Sequence, residues 1–212
     1  MRIAVIGAGN VGSGLGRSAV VAGHDVVVAA AHSEKAEAVA AEIGAQSAES
    51  VAAAASGAQV VVLAVPASEA PAVAAAAAAA APASVLVDAT NPLNATFDGL
   101  AIEGTSGAEA VQQAAGATPV VKAFNTVFAS RYGAPAEQGA PLTVFVAGDD
   151  ATAKSTVSEF ATSLGFSPLD AGGLRFARTL EELAFLNISL NASNGWSWQS
   201  AFRLVGPQTA AA

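Results

Sequence analysis

Residues Arg2–Gly16 read RIAVIGAGNVGSGLG, an apolar, partly β-branched run followed by five glycines. The run Arg2–Ile6 predicts a buried strand, and Val11–Ala22 predicts a helix ended by Gly23. Between them Gly7, Gly9 and Gly12 fit the pattern G-x-G-x-x-G. That pattern is weak alone, but here it follows a strand and opens a helix, the context that points to a dinucleotide. Gly7 allows a tight turn, Gly9 lets the backbone approach a pyrophosphate, and Gly12 lets the helix pack on the strand. The helix then presents free N–H groups and its positive dipole end to the phosphates.

The pattern continues outward from this unit. Strands are expected at Asp25–Ala29, Gln59–Val65, Ser84–Asp88, Pro119–Ala123 and Leu142–Ala147, with a last short one inside FSPLDAGG. Stretches such as QVVVLAV show no polar alternation, which indicates strands covered on both faces. Helices are expected at Glu34–Ile43 with Ser33 as N-cap, at Ala48–Ala55 with Glu49 in its first turn, and at Pro71–Ala81. Two more are expected at Ala151–Leu164, capped by Asp150, and over Ala177–Leu204, broken near Asn194–Gly195. NPLNATFDGLAIEGTSG, from Asn91, reads as a long non-periodic loop of the kind that carries function. Alternating strands and helices give an α/β class: a doubly wound parallel sheet (Rossmann) with a small C-terminal helical part. The expected division is a dinucleotide-binding domain, 1–148, a C-terminal substrate or dimerisation region, 149–205, and a frayed tail, 206–212.

Composition narrows the partners. The 212 residues carry a net charge of -8, which disfavours nucleic acid and anionic membrane as partners. The alanine-rich stretch Ala70–Ala83 is broken by Pro71 and Pro82 and is too weakly apolar for a bilayer span. Met1 directly precedes the first strand, so no leader is expected and a cytoplasmic location follows. With no cysteine and two histidines, disulfides, thiolate chemistry and a multi-histidine metal site are excluded.

The choice of dinucleotide turns on the end of the second strand. NAD-selective sites place an acid there for the ribose hydroxyls. Ala29, Ala30 and Ala31 supply none, whereas His32, Ser33 and Lys35 follow and could hold a 2′-phosphate, which favours NADP. Ser33 as a plain helix cap and Lys35 as a solvated side chain are the alternative.

The glycine fingerprint, GHDVVV, AVP (64–66), NPL (91–93), KAFNT (122–126), GDD (148–150) and LDAGGL (169–174) occur in this order. In that order they resemble the NADPH-dependent coenzyme F-420 (deazaflavin) reductases. The resemblance spans almost the whole chain and implies a homodimeric Rossmann protein moving a hydride between NADP and a deazaflavin. It implies that Gly7, Gly9, Asn10, Val11 and Gly12 surround the pyrophosphate and that Lys35 lies near the 2′-phosphate. Ala64, Val65 and Pro66 would line the cofactor, and Asn91, Pro92 and Leu93 would lie near the nicotinamide ribose. Asn125, Thr126 and Phe128 would flank the stacked rings, with Asp170, Ala171, Gly172 and Leu174 closing the far side. Two positions depart from the family pattern. Ala30–His32 stand where arginines are common, and Gly173 replaces a proline.

Hydride transfer between two cofactors needs position more than acid–base groups, which suits a chain with no evident catalytic constellation. No catalytic side chain and no metal ligand are therefore assigned. Lys122 could donate a proton, but is read as a strand-end lysine or the partner of a carboxylate. Tyr132 lacks the lysine spacing of a short-chain dehydrogenase, and Glu181 and Glu182 read as a solvated helix face. Arg131, Arg175 and Arg178 are candidates for the acidic tail of a deazaflavin, though pairing with surface carboxylates is the simpler expectation. Trp196 and Trp198 would pack on a flat ring or, preferably, at a dimer seam. The alternatives to a deazaflavin reductase are an NADPH-dependent imine or carbonyl reductase of the same fold, and a non-catalytic NADP(H)-sensing module.

Overall fold

A computed structural model describes residues 1–206. The chain opens with β1 (Arg2–Ile6), α1 (Asn10–Val21), β2 (Asp25–Ala29), α2 (Ser33–Ile43), β3 (Gln46–Ser47) and α3 (Val51–Ala55). It continues through β4 (Val60–Leu63), α4 (Ala70–Ala80), β5 (Val85–Asp88), α5 (Gly107–Ala115) and β6 (Val120–Lys122). A 3-10 turn (Ala129–Arg131) leads to the short hairpin β7 (Ala136–Glu137) and β8 (Ala140–Pro141). The last elements are β9 (Thr143–Gly148), α6 (Ala151–Ser163), β10 (Ser167–Gly172), a 3-10 turn (Leu174–Phe176) and α7 (Ala177–Asn194).

Eight strands form one sheet in the order β10-β9-β6-β5-β4-β1-β2-β3. The doubly wound α/β fold expected from the sequence is present, with six parallel strands from β3 to β6. The sheet is not wholly parallel, because β9 runs antiparallel to β6 and β10 follows β9. The hairpin inserted after β6 reverses the chain without a crossover helix, so the next strand must run the other way.

Strand side chains alternate between two helical layers. Ile3 and Val5 of β1, with Val60 and Val62 of β4, pack under α1, α2 and α6. Ala4 and Ile6, with Val61 and Leu63, pack under α3, α4 and α5. Both faces are dry, which is why these strands read as continuous apolar runs. The second layer is built largely from alanine: Ala54, Ala55, Ala70, Ala74, Ala77 and Ala78 are buried there. Small side chains bring these helices close to the sheet but bury little area each. α7 packs against α5 and β9.

Several local expectations differ. His32, not Ser33, is the N-cap of α2, and no side chain caps that helix. α3 begins after Ser50, whose hydroxyl accepts from the Ala53 amide, so Glu49 lies outside it. α5 occupies residues to which the sequence reading assigned no element. Its signal was present: Ser106 and Glu109 form a capping box, the S-x-x-E pattern. α7 stops at Asn194 with Gly195 in the left-handed conformation, and the chain then reaches the start of β9 at Phe202 and Leu204. There the Thr143 amide donates to the Phe202 carbonyl at 3.0 Å. The expected tail lies outside the described residues from 207 onward. Among the described residues no helix is long and apolar enough to cross a membrane.

Candidate functional site

The site lies where β1, β4, β5 and β6 end, the edge at which doubly wound sheets bind ligands. Gly7 has φ 125°, and a Cβ there would stand 2.1 Å from the Ala64 carbonyl oxygen. A Cβ on Gly12 would stand 1.9 Å from the Gly7 carbonyl oxygen. These two glycines are required by the protein's own packing. Gly9 differs, since a Cβ there would meet nothing within 4 Å. The chain's own packing does not demand glycine there. Gly9 is also the N-cap of α1, and no side chain caps the helix. The first amides of α1, from Asn10 and Val11, are thus left for an anion. The residues present fit a dinucleotide pyrophosphate.

Two adjoining depressions continue from this loop. One is lined by Val11, Ala64, Val65, Pro66, Thr90 and Asn91. The other, about 190 Å³, is lined by Val11, Asn91, Asn125, Thr126, Phe128 and Asn187 among others. The structure brings Asn91, Asn125, Thr126 and Phe128 together around one depression. Asn91 and Asn125 are mutually bonded. The Asn91 amide donates to the Asn125 carbonyl at 2.8 Å, and the Asn125 amide donates to Asn91 Oδ1 at 3.0 Å. Asn125 Nδ2 also donates to the Leu180 carbonyl.

The turn that presents Asn125 is strained. Phe124 has φ 65°, a left-handed conformation that costs a non-glycine residue about 1–3 kcal/mol. Its ring is held edge-on by Phe160 at 5.7 Å, Phe166 at 6.2 Å and Tyr132 at 6.4 Å. Aromatic packing over-determines the turn and points the chain's next two residues at the cleft.

Below the cleft Lys122 is wholly buried, as are Asp88 and Glu181. Its ammonium donates to Asp88 Oδ2 at 2.9 Å, Glu181 Oε1 at 2.8 Å and the Thr90 carbonyl at 2.7 Å. Lys122 is thus the partner of carboxylates and offers no proton to a substrate. The expectation of a solvated Glu181 is corrected. This carboxylate also accepts from the Gly107 and Ala108 amides at the start of α5, positions enriched for anions. The network joins β5, β6, α5 and α7, and was not seen from the sequence because its carboxylates come from distant elements.

Tyr132 is buried, its hydroxyl donates to the Phe124 carbonyl, and burial pushes its phenol well above the ordinary range. It is no acid at working pH. Of the arginines, Arg131 pairs with Glu137 and Arg178 with Glu182, while Arg175 stacks over Phe176. Leu174 is buried with Ala108 and Ala177 rather than at the cleft. Gly172 has φ 103° beside the Phe176 ring and lines neither depression. The structure does not bring these two together with Asn125. Burial of Pro92 turns it away from solvent, Leu93 bridges Leu100, and Ala64–Pro66 remain on the cleft. His32, Ser33 and Lys35 are exposed beyond β2. No group of three or more possible metal ligands occurs among the described residues.

The sheet order and the glycine loop define a Rossmann-type dinucleotide-binding protein. Comparison with known proteins carries this further. Residues 2–92 match the family described as NADP oxidoreductase, coenzyme F420-dependent. A protein from Arthrobacter sp. FB24, provisionally assigned as an F420-dependent NADP reductase, superposes with TM-score 0.83 at 29% identity. The match covers 97% of this chain and 100% of that one. A hypothetical protein from Sinorhizobium meliloti gives 0.72 at 26% identity, over 97% and 93% of the two chains. The metalloreductase STEAP3 of Rattus norvegicus is 45% identical over 67 residues, 32% of this chain. That match spans only 14% of the curated relative's length.

Proposed function

We propose that the protein is an NADP-linked oxidoreductase that moves a hydride between NADP(H) and a deazaflavin. One observation carries the reading. Of three buried side-chain polar atoms without a hydrogen-bond partner among the described residues, two are Thr90 Oγ1 and Asn125 Oδ1. Both residues line the cleft beside the uncapped helix α1. Buried polar groups are rarely left unpaired, so an unpaired pair at a cleft argues for a ligand that completes them. A carboxamide and a ribose hydroxyl have the donors these atoms lack. The absence of an acid at Ala29, Ala30 and Ala31 and the exposed Lys35 support NADP over NAD.

When bound, the dinucleotide supplies or accepts the hydride: NADPH, a proton and oxidised deazaflavin give NADP and reduced deazaflavin. The protein's part is placement. Asn125 is oriented by its two donations, and Val11, Phe128 and Ile188 give the cleft apolar walls that exclude water. Among the described residues no aspartate, glutamate, lysine or histidine lines the cleft. That suits a direct hydride transfer better than reduction of a carbonyl or imine, which wants a proton donor. The Aspergillus terreus imine reductase, TM-score 0.66 at 20% identity, shares the fold only. Exposed Leu186, Leu190 and Trp196 support association of two copies, which light scattering measures. Incubation of protein, NADPH and oxidised deazaflavin should show loss of deazaflavin absorbance. Binding of NADPH by calorimetry without turnover would leave a sensing role instead.

A further inference from the structure

A second depression adjoins the cleft and shares Phe128 and Ala129 with it. It is larger, about 630 Å³, and open. Its floor is one face of α1: Asn10, Ser13, Gly14 and Arg17, at spacings of three, one and three residues. Gly14 lets the helix pack on the buried Tyr132 ring, which a Cβ would approach to 2.8 Å. The opposite wall is Ser130 and Trp198.

Trp198 is held there by several contacts. Its ring stands edge-on to Phe128 at 5.5 Å, its amide donates to Asn191 Oδ1, and its carbonyl accepts from the Ser130 hydroxyl. Asn191 is in turn tied to Asn187 and Ser200, so the chain after α7 is fastened to that helix. The residue remains 45% exposed despite these ties. An aromatic wall that is anchored yet exposed, beside a cleft with an aromatic rim, is built for a flat ligand.

The charge is equally particular. At a chain charge of -8 an anion needs a local cation. Among the described residues Arg17 is the lysine or arginine lining this groove. It pairs with Glu42 through Nη2, and its side chain is half exposed. Arg131, Arg175 and Arg178, the candidates suggested by the sequence, do not line this groove. Arg17 lies seven helical steps beyond Asn10, about 10 Å.

We infer that this groove seats the anionic side chain of the flat second substrate, a phosphodiester- or carboxylate-bearing tail, with Trp198 as its aromatic wall and Arg17 as its charge partner. The inference rests on the reading of a deazaflavin substrate and names where its tail lies. The test is steady-state kinetics at saturating NADPH with two deazaflavins, one with the acidic tail and one ending in a neutral ribityl chain. The wild-type protein should show the lower KM for the tailed form. Arg17→Ala should raise that KM roughly tenfold, the worth of one charged hydrogen bond, and leave KM for the neutral form and for NADPH within about twofold. Trp198→Ala should raise KM for both deazaflavins. Trp196→Phe leaves Trp198 the sole tryptophan, whose fluorescence the tailed form should quench. Equal wild-type KM values for the two forms, an Arg17→Ala change confined to NADPH, or absence of quenching overturns the inference while turnover stands. Turnover of neither form overturns the functional reading as well.

Discussion

Replacing Lys122 by methionine keeps side-chain volume and removes one charge, which isolates the buried network. Asp88 and Glu181 are 0% exposed, so neither can recover its partner from water. Asp88 would retain the Thr90 amide at 2.9 Å, and Glu181 only the longer bonds from Gly107 at 3.2 Å and Ala108 at 3.4 Å. Breaking a buried pair costs about 3–5 kcal/mol, and orphaning the Thr90 carbonyl adds about 1 kcal/mol more. The sum, about 4–6 kcal/mol, is a large part of a total stability of about 5–15 kcal/mol. Urea unfolding should show it as a lowered midpoint, and Tm should fall by roughly 10–20 °C. The triple variant Lys122→Met/Asp88→Asn/Glu181→Gln should recover more than half of the loss, since no uncompensated charge is then buried. Because Lys122 also holds the residue before Asn91, any folded single variant should bind NADPH more weakly. A single variant within about 1 kcal/mol of wild type would refute the network as a determinant of stability.

Three other outcomes follow from the same geometry. Gly9→Ala should fold with unchanged Tm, since its Cβ meets nothing, yet weaken NADPH binding about tenfold or more by blocking the pyrophosphate; calorimetry measures it. Gly12→Ala should instead lose stability, because the Cβ collides with the Gly7 carbonyl, and circular dichroism on heating reads this directly. His24 packs on Phe160, contacts the Met1 amine and bonds Ser163; burial, then the N-terminal charge, lowers its pKa below the ordinary 6.5. The unfolded chain then binds more protons, so this contribution is complete above pH 6.5 and is lost as pH falls below it; His24→Gln should flatten that part of a Tm-against-pH curve.

The glycine loop was legible because its cause is local. Close approach of α1 to β1 and β4 demands Gly7 and Gly12, and any chain with that turn must show them. The apolar runs at Val26–Ala29 and Val60–Leu63 were legible for a related reason: both faces are covered, so neither can be polar. α4 shows the limit. Its buried positions, Ala70, Ala74, Ala77 and Ala78, are spaced as on one helix face, but the exposed ones are mostly alanine too. A helix of one residue type has no hydrophobic period, so its orientation cannot be read. α5 was missed for another reason: its capping box sits at the end of a glycine-rich loop, whose composition masks it.

What the sequence by itself determined is the nucleotide-binding half: a strand, a glycine turn and a helix whose amides face outward, because each of these depends on neighbours a few residues away. Asn91 and Asn125 were set near each other by the family resemblance and not by any local pattern. What only the tertiary structure decided is how the remaining charges and aromatics are used. Glu181 sits 59 residues from Lys122, and Trp198 some 68 from Ser130, yet each pair is in contact. Burial reverses the meaning of a carboxylate, from solvated surface to structural anion, and burial is a property of the packed chain rather than of any segment.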